Sequence, residues 1–159
     1  MHDDAPVIRS ATAADVAEIA ACVAAAYAPY LARMATPPAP MLDDYVALVD
    51  RGVVEVAVHG DRLAGVIVMW AEPDHFFIDN VAVAPWAQGT GTGRLLLEHA
   101  SVRAVEAGHH ELRLYTNEAM TENLAYYPRQ GFVETHRAVG DGYARVYFSK
   151  PLAGHPEAD

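Results

Sequence analysis

The chain alternates between two hydrophobic periods, which predicts a mixed α/β fold. Apolar side chains recur at helical spacing over residues 16–27 and 95–107, whereas residues 53–58 and 76–83 form β-branched or aromatic runs that are typical of strands. Residues 12–15 have the spacing of a helix capping box, and Gly108 suits a helix C-terminus. The resulting order, β-αα-βββ-α-β-α-ββ, predicts an α/β (α+β) fold with a mixed central sheet and helices on both of its faces.

Turn-forming residues set the predicted bounds of the other elements. Pro29 is expected to stop the first helix, residues 36–40 form a proline-rich connector, and Gly52 closes a second short helix over residues 41–50. A turn at residues 59–61 joins strands 53–58 and 63–70 into a hairpin. The remaining predicted elements are strand 7–9, strand 112–115, helix 121–130, and a closing hairpin of strands 132–137 and 143–148.

Size and charge narrow the class of protein. The 159 residues predict one domain over residues 1–159, with a core at 7–150 and a loose tail at 151–159. A formal charge of -10 argues against nucleic acid or an anionic membrane as partner, because both require a basic surface. We find no export signal at the acidic N-terminus and no apolar run near the roughly 20 residues that cross a bilayer. We therefore expect a cytoplasmic protein without a membrane segment.

Three glycines, Gly89, Gly91 and Gly93, fall between a predicted strand and a predicted helix. Because glycine lacks a Cβ atom, the backbone N–H groups can approach a ligand closely, and a helix N-terminus favours an anion such as a pyrophosphate. A Walker loop is excluded, since Gly93 is followed by Arg94 and Leu95 instead of lysine and a hydroxyl residue. A Rossmann dinucleotide loop fits poorly, because Arg94 stands where its third glycine belongs. A purely structural turn is the remaining alternative.

The segment from Gln88 to Gly93 fits the Gln/Arg-x-x-Gly-x-Gly/Ala signature of the GNAT-type N-acetyltransferases, which the chain resembles. Residues 80–85, Asn-Val-Ala-Val-Ala-Pro, are similar to that family's central strand. Tyr127 with Gly131 and Phe132 resembles the family's later Tyr-x-x-x-Gly-Phe segment. The predicted order of elements also matches the family's fold, so the resemblance spans residues 7–150.

The resemblance implies acetyl-CoA as cosubstrate, bound by two neighbouring segments. The pantetheine arm would lie along the central strand like an added strand, because its amides are spaced like those of a peptide. The pyrophosphate would accept hydrogen bonds from backbone N–H groups of the glycine loop. The residues concerned are Val81, Ala82 and Val83 for the pantetheine, and Gln88, Gly89, Thr90, Gly91, Thr92, Gly93 and Arg94 for the pyrophosphate.

Acyl transfer from a thioester to an amine needs a proton acceptor, a polarised carbonyl and a thiolate that can leave. Asp79, in an otherwise apolar strand, is the candidate base, with a purely structural carboxylate as the equal alternative. Phe77 stands where some family members carry their base. The substitutes lie in the preceding turn and are Glu72, Asp74 and His75. A backbone N–H of residue 81 or 82 would polarise the carbonyl.

By the same resemblance, Tyr127 would protonate or hydrogen-bond the departing sulfur, with packing on the sheet as the alternative role. Asn123 lies four residues earlier and shares a helix face with Tyr127, so its amide and that of Asn117 are candidates for the pantetheine. The family often has asparagine where this chain has Met120. Pro128 is expected to kink or shorten the helix.

The acceptor is expected to be an amine of a small molecule or of a protein. A homodimer is a possible assembly. Residues suited to an amine pocket are Tyr30, Trp70, Glu72, Asp74 and Phe76, with ordinary surface and core positions as the equal alternative. No metal is expected, because the side chains of adjacent His109 and His110 point to different sides. The alternatives are a non-catalytic acetyl-CoA sensor and, more remotely, a dinucleotide-binding oxidoreductase.

Overall fold

The computed structural model describes residues 5–153 and contains seven strands and four α-helices among them. In chain order they are β1 (Val7–Ser10), α1 (Val16–Tyr27), α2 (Tyr45–Asp50), β2 (Val54–His59), β3 (Arg62–Ala71), β4 (Phe76–Val83), α3 (Thr92–Glu106), β5 (Glu111–Asn117), α4 (Thr121–Arg129), β6 (Val133–Gly140) and β7 (Tyr143–Pro151). This order is the predicted one.

The strands form one sheet in the order β1-β2-β3-β4-β5-β7-β6. Strands β4 and β5 run parallel, with Phe76 opposite Leu112 and Ile78 opposite Leu114. The pairs β1 with β2, β2 with β3, β5 with β7 and β6 with β7 are antiparallel. The mixed sheet confirms the predicted fold class.

Local signals explain most helix ends. The Asp15 carboxylate accepts a hydrogen bond from the Thr12 N–H at 2.7 Å, which is one half of the predicted capping box. The second helix begins later than predicted, at Tyr45, because the Asp44 carboxylate accepts from the Ala47 N–H at 3.1 Å and so makes Asp44 the N-cap. Gly52 follows α2 with φ +76°, as its predicted role as a helix stop requires.

Two compact units make up the described residues, residues 5–69 with 80–97 and residues 70–79 with 98–153. The fully buried side chains of the first unit include Ile19, Val23, Val56, Val66, Ile67 and Leu96. Those of the second include Ile78, Leu112, Leu114, Val146 and Phe148. That the chain acts as one domain stays a prediction.

The C-terminal boundary of the core differs from the prediction. Pro151 belongs to β7 opposite Glu111, and the Leu152 N–H donates to the His110 carbonyl oxygen at 2.8 Å, so these two residues are ordered by the sheet and are not a loose tail. Residues 154–159 of the predicted tail lie outside the described residues.

One helical run among residues 5–153, Ala13–Arg33, is long and apolar enough to cross a membrane by length and composition alone. This finding corrects the expectation that no apolar run approaches that length. The run joins α1 to a short 3₁₀ helix on either side. Within it Ile19, Cys22 and Val23 are buried in the first unit at the spacing of an amphipathic core helix, and a core helix passes the same test.

Candidate functional site

The glycine loop lies in the first unit, between the end of β4 and the start of α3. Gly89 and Gly91 have φ values of +82° and +91°, which residues with a Cβ rarely adopt, and a Cβ atom added at either would have no atom beyond the chain neighbours within 4 Å. The Gln88 and Thr90 N–H groups bond to loop carbonyls of Pro85 and Ala87 at 3.3 Å each. Two of the seven amides predicted for the pyrophosphate are therefore engaged within the loop, by long hydrogen bonds.

The start of α3 supplies the remaining donors of the loop. The Leu95 N–H bonds to the Gly91 carbonyl oxygen at 3.0 Å, so the N–H groups of Thr92, Gly93 and Arg94 precede the helical hydrogen-bond ladder. These groups carry the partial positive charge of the helix N-terminus. The loop is therefore suited to an anion, and its binding of the diphosphate stays a prediction.

Gly65 of β3 allows the helix start to approach the sheet. A Cβ atom at this position would lie 3.1 Å from the Ala82 carbonyl oxygen, 3.1 Å from Thr92 Cγ2 and 2.9 Å from Leu96 Cδ1. Thr92 itself is buried, and its hydroxyl lies 3.0 Å from that of Thr90. The position of the loop is thus fixed by close packing of α3 on β3 and β4.

A buried polar network surrounds Asn80 in the first unit. The Tyr27 hydroxyl donates to Asn80 Oδ1 at 2.6 Å and lies 3.2 Å from the Val81 carbonyl oxygen. Asn80 Nδ2 donates to the Tyr45 hydroxyl at 3.1 Å, and that hydroxyl donates to the Pro40 carbonyl oxygen at 2.7 Å. The network joins α1, α2 and the proline-rich connector to the strand segment expected to carry the pantetheine. Nothing in the local sequence around the two tyrosines indicated it.

The candidate base, Asp79, is half-buried on β4 in the second unit. Its proposed substitutes in the preceding turn are held by other groups. Glu72 accepts from Trp70 Nε1 at 2.7 Å. The hydrogen bond from His75, together with the charge of Arg113, lowers the pKa of Asp74 below its ordinary value, which makes that carboxylate a weaker proton acceptor.

The predicted amine pocket needs one correction. Phe76 is 6% exposed and belongs to the core, and Phe77 occupies the opposite, half-buried face of β4. Phe77 and Trp70 have ring centroids 5.4 Å apart in the second unit. Tyr30 belongs to the first unit, where its ring lies 6.2 Å from that of Tyr27.

Tyr127 is buried on α4 in the second unit, with its ring against Phe132 at 5.6 Å and Phe148 at 5.7 Å. Helix α4 contains Pro128 and ends at Arg129, one residue before its predicted end. Gly131, with φ +96°, then turns the chain so that the Phe132 N–H reaches the Tyr127 carbonyl oxygen at 3.1 Å.

The two candidate asparagines also lie in the second unit. Asn123 Nδ2 donates to Thr116 Oγ1 at 3.0 Å, and Asn117 Oδ1 accepts from the Ala119 N–H at 2.8 Å in an Asx turn. Met120 is buried beside them, and its sulfur accepts from the Thr116 hydroxyl at 3.5 Å. Each asparagine therefore has one side-chain atom committed to local structure.

The described residues do not favour covalent catalysis by cysteine. Burial raises the pKa of the Cys22 thiol to about 11, so the thiolate that covalent catalysis needs is disfavoured. Among residues 5–153, no group of three or more histidine, cysteine, aspartate or glutamate side chains is arranged to hold a metal ion. His109 instead lies with its ring 6.3 Å from that of Phe76.

The mixed sheet, with a glycine loop leading into a helix after its central strand, defines an α/β protein whose loop and helix start are suited to an anion. Residues 20–132 match the acetyltransferase (GNAT) family, and the chain belongs to that family of acyltransferases. The family resemblance inferred from the motifs is confirmed, and the oxidoreductase and sensor alternatives are not favoured.

Individual relatives agree with this assignment. The chain is 36% identical over 89 residues to a mycothiol acetyltransferase of Jonesia denitrificans, a match that covers 55% of the chain and 28% of that protein. It thus spans about a quarter of this relative. The fold is similar to that of the Thermoplasma acidophilum PaiA N-acetyltransferase in complex with coenzyme A (TM-score 0.79, 14% identity, 94% and 100% of the two chains). It is also similar to that of the ribosomal-protein-S18-alanine N-acetyltransferase of Escherichia coli (TM-score 0.73, 20% identity, 97% and 98%).

Proposed function

We propose that the chain is an N-acetyltransferase that moves the acetyl group of acetyl-CoA directly to a primary amine, in a ternary complex in the cytoplasm. The observation that carries the proposal is the loop at residues 88–94, where two glycines with positive φ lead into the N-terminus of α3. Family membership supports the choice of acetyl-CoA over other nucleotides. A mycothiol acetyltransferase among the relatives and CoA bound to a structural neighbour support it further.

Two segments of the first unit would bind the cosubstrate. The N–H groups at the start of α3, with the Arg94 side chain, would hold the diphosphate, because the helix N-terminus and the guanidinium both favour an anion. Residues 81–83 would hydrogen-bond the pantetheine as a neighbouring strand would. The pairing of β4 with β5 covers Phe76–Ile78. Residues 81–83 therefore follow the part of β4 that is paired with β5.

The chemical roles fall to a few groups of this chain. Bound acetyl-CoA supplies an acetyl thioester. Asp79 would take the proton of the incoming ammonium, because an alkylammonium near pKa 10 is almost fully protonated at neutral pH. A backbone N–H of Val81 or Ala82 would stabilise the negative charge that develops on the carbonyl oxygen. Tyr127 would donate to the departing sulfur, and Asn117 and Asn123 are proposed to orient the pantetheine.

The proposal is tested with a panel of primary amines and acetyl-CoA, following release of free thiol. Tyr127→Phe keeps the ring that packs on Phe132 and Phe148 but removes the hydroxyl. We expect turnover to fall at least about tenfold, toward the low end of the effect of a general acid, because a thiol is already a fair leaving group. Coenzyme A binding should be unchanged.

Tyr126→Phe is the matched control, since Tyr126 is the half-buried neighbour on the same helix. It should retain wild-type turnover. Failure of the wild-type protein to bind coenzyme A, or its binding without turnover of any amine, would overturn the proposal. Self-association as a homodimer stays a prediction, to be measured by sedimentation.

A further inference from the structure

An aromatic row crosses one face of the sheet within the second unit. It consists of one ring from each of five strands, and neighbouring ring centroids lie 4.3 to 5.7 Å apart. The members, in order from β3 across β4, β5 and β7 to β6, are Trp70, Phe77, Tyr115, Tyr147 and His136. We call this set the aromatic row.

The aromatic row is distinct from the core of the unit. Along β4, β5 and β7 its members alternate with buried side chains that point to the other face, such as Phe76 beside Phe77 and Phe148 beside Tyr147. Four of the five rings are half-buried and His136 is exposed. Cross-strand pairing alone would explain one or two such contacts, but a continuous row also presents a broad π-surface.

Charged groups flank the row at two points. Asp79 follows Phe77 by two residues and so shares its face of β4. Burial raises the pKa of the Tyr115 hydroxyl above its ordinary value, the negative charge of Asp79 acts in the same direction, and the charge of Arg145 opposes both. The Arg145 guanidinium lies 4.2 Å from the Tyr115 ring centroid. A carboxylate and a guanidinium therefore both act on the middle of the row.

We propose that the aromatic row binds the acceptor and selects primary amines carried on an aryl ring. The ring of such an acceptor would stack with Phe77 or its neighbours, and its ammonium would face Asp79. Each aromatic pair would strengthen binding about two- to tenfold relative to a saturated ring. This inference rests on the proposed acetyl transfer, in which Asp79 is the base.

Binding is measured by titration calorimetry on the full chain, with 2-phenylethylamine and 2-cyclohexylethylamine as probes, each in the presence and absence of coenzyme A. The two amines differ in the π-system of the ring and share the amine and linker. We expect the phenyl compound to bind at least about threefold more tightly. The same preference should be visible in kcat/KM with acetyl-CoA.

Phe77→Leu should abolish most of this preference, because it removes a ring of the row while keeping an apolar side chain. Phe76→Leu is the matched control, since it makes the same exchange one position earlier on the opposite, buried face. It should lower the melting temperature and retain the preference. Tyr147→Leu, on another strand, repeats the test if Phe77→Leu is unfolded by circular dichroism.

Equal binding of the two amines by the wild-type protein would overturn the inference, as would full retention of the preference by Phe77→Leu. Turnover of amines without ring selectivity would overturn it and leave the acetyl-transfer proposal standing. Ring-selective binding without turnover of any amine would overturn the acetyl-transfer proposal. The aromatic row would then be a ligand site of a protein that does not acetylate.

Discussion

Replacing Gly65 with alanine should weaken coenzyme A binding although Gly65 lies on β3 and outside the glycine loop. The added methyl group would meet the Ala82 carbonyl oxygen and Thr92 Cγ2, both at 3.1 Å, and Leu96 Cδ1 at 2.9 Å. The leucine methyl group can turn away, but the backbone carbonyl and the buried threonine have to move with β4 and α3. The change therefore pushes the first helical residue of the loop away from the sheet.

The free-energy cost combines two opposing effects. Overpacking of this kind costs about 1–3 kcal/mol. Restricting the unfolded chain by exchanging glycine for alanine returns about 0.4–1 kcal/mol. The net destabilisation is then at most about 2.6 kcal/mol, with a midpoint of about 1.3 kcal/mol, which lowers the melting temperature of a chain of this size by up to roughly 10 °C. Displacement of the N–H groups of Thr92 and Gly93 is expected to raise the Kd for coenzyme A about tenfold, equivalent to about 1.4 kcal/mol.

The assay combines thermal unfolding with titration of coenzyme A. Gly60→Ala is the control, because Gly60 has φ +67° and nothing within 4 Å of its added Cβ, so the substitution strains the backbone without crowding a neighbour. It should cost about 1–2 kcal/mol of stability and leave the Kd unchanged. If Gly65→Ala bound coenzyme A as tightly as Gly60→Ala does, the packing of α3 on β3 would not be what places the loop.

Two further outcomes follow from buried groups of the first unit. The hydrogen-bonded ion pair with Arg9 lowers the pKa of Asp15 from 3.8 to about 2, so Asp15→Asn should cost up to about 2 kcal/mol in urea unfolding at pH 7. This stabilisation is complete above the unfolded pKa and is lost as the pH falls from about 4 through 2. If Asp15→Asn lost as much free energy of unfolding at pH 2 as at pH 7, the assignment would be contradicted. Cys22, 7% exposed and with its thiol pKa raised to about 11, should not react with a disulfide reagent in the native protein and should react fully in urea; rapid native labelling would refute its burial.

Local signals in the sequence predicted more of the fold than of the candidate site. The capping box at Asp15 and the glycines after α2 and α3 act over a few residues, and the structure has them as predicted. The start of α2 depends on which polar residue caps the helix. The sequence does not show this, whereas the hydrogen bond from the Ala47 N–H to the Asp44 carboxylate identifies Asp44 as the cap.

The face of β4 could not be predicted from its letters. The stretch Phe76–Val83 has apolar residues at both parities near its start, so alternation does not say whether Phe76 or Phe77 is buried. The parallel register with β5, in which Phe77 stands opposite Arg113 and beside Tyr115, settles the question. This pairing joins residues 38 positions apart in sequence, and the contact of Tyr115 with Tyr147 joins residues 32 positions apart, so neither could be predicted from local signals.

Neighbouring positions of β4 differ in role, with Asn80 structural and Asp79 the proposed base. A buried asparagine in a strand is unfavourable unless its amide is satisfied, and Asn80 meets this condition through Tyr27 and Tyr45. An apolar residue in its place would remove one hydrogen-bond partner from the half-buried Tyr27 hydroxyl and one from the hydroxyl of buried Tyr45. Because the Tyr27 hydroxyl also approaches the Val81 carbonyl oxygen, the network fixes the backbone where the pantetheine is proposed to bind. Asn80 is on this argument a positioning residue, and Asp79, one position earlier on the other face, stays the proposed proton acceptor.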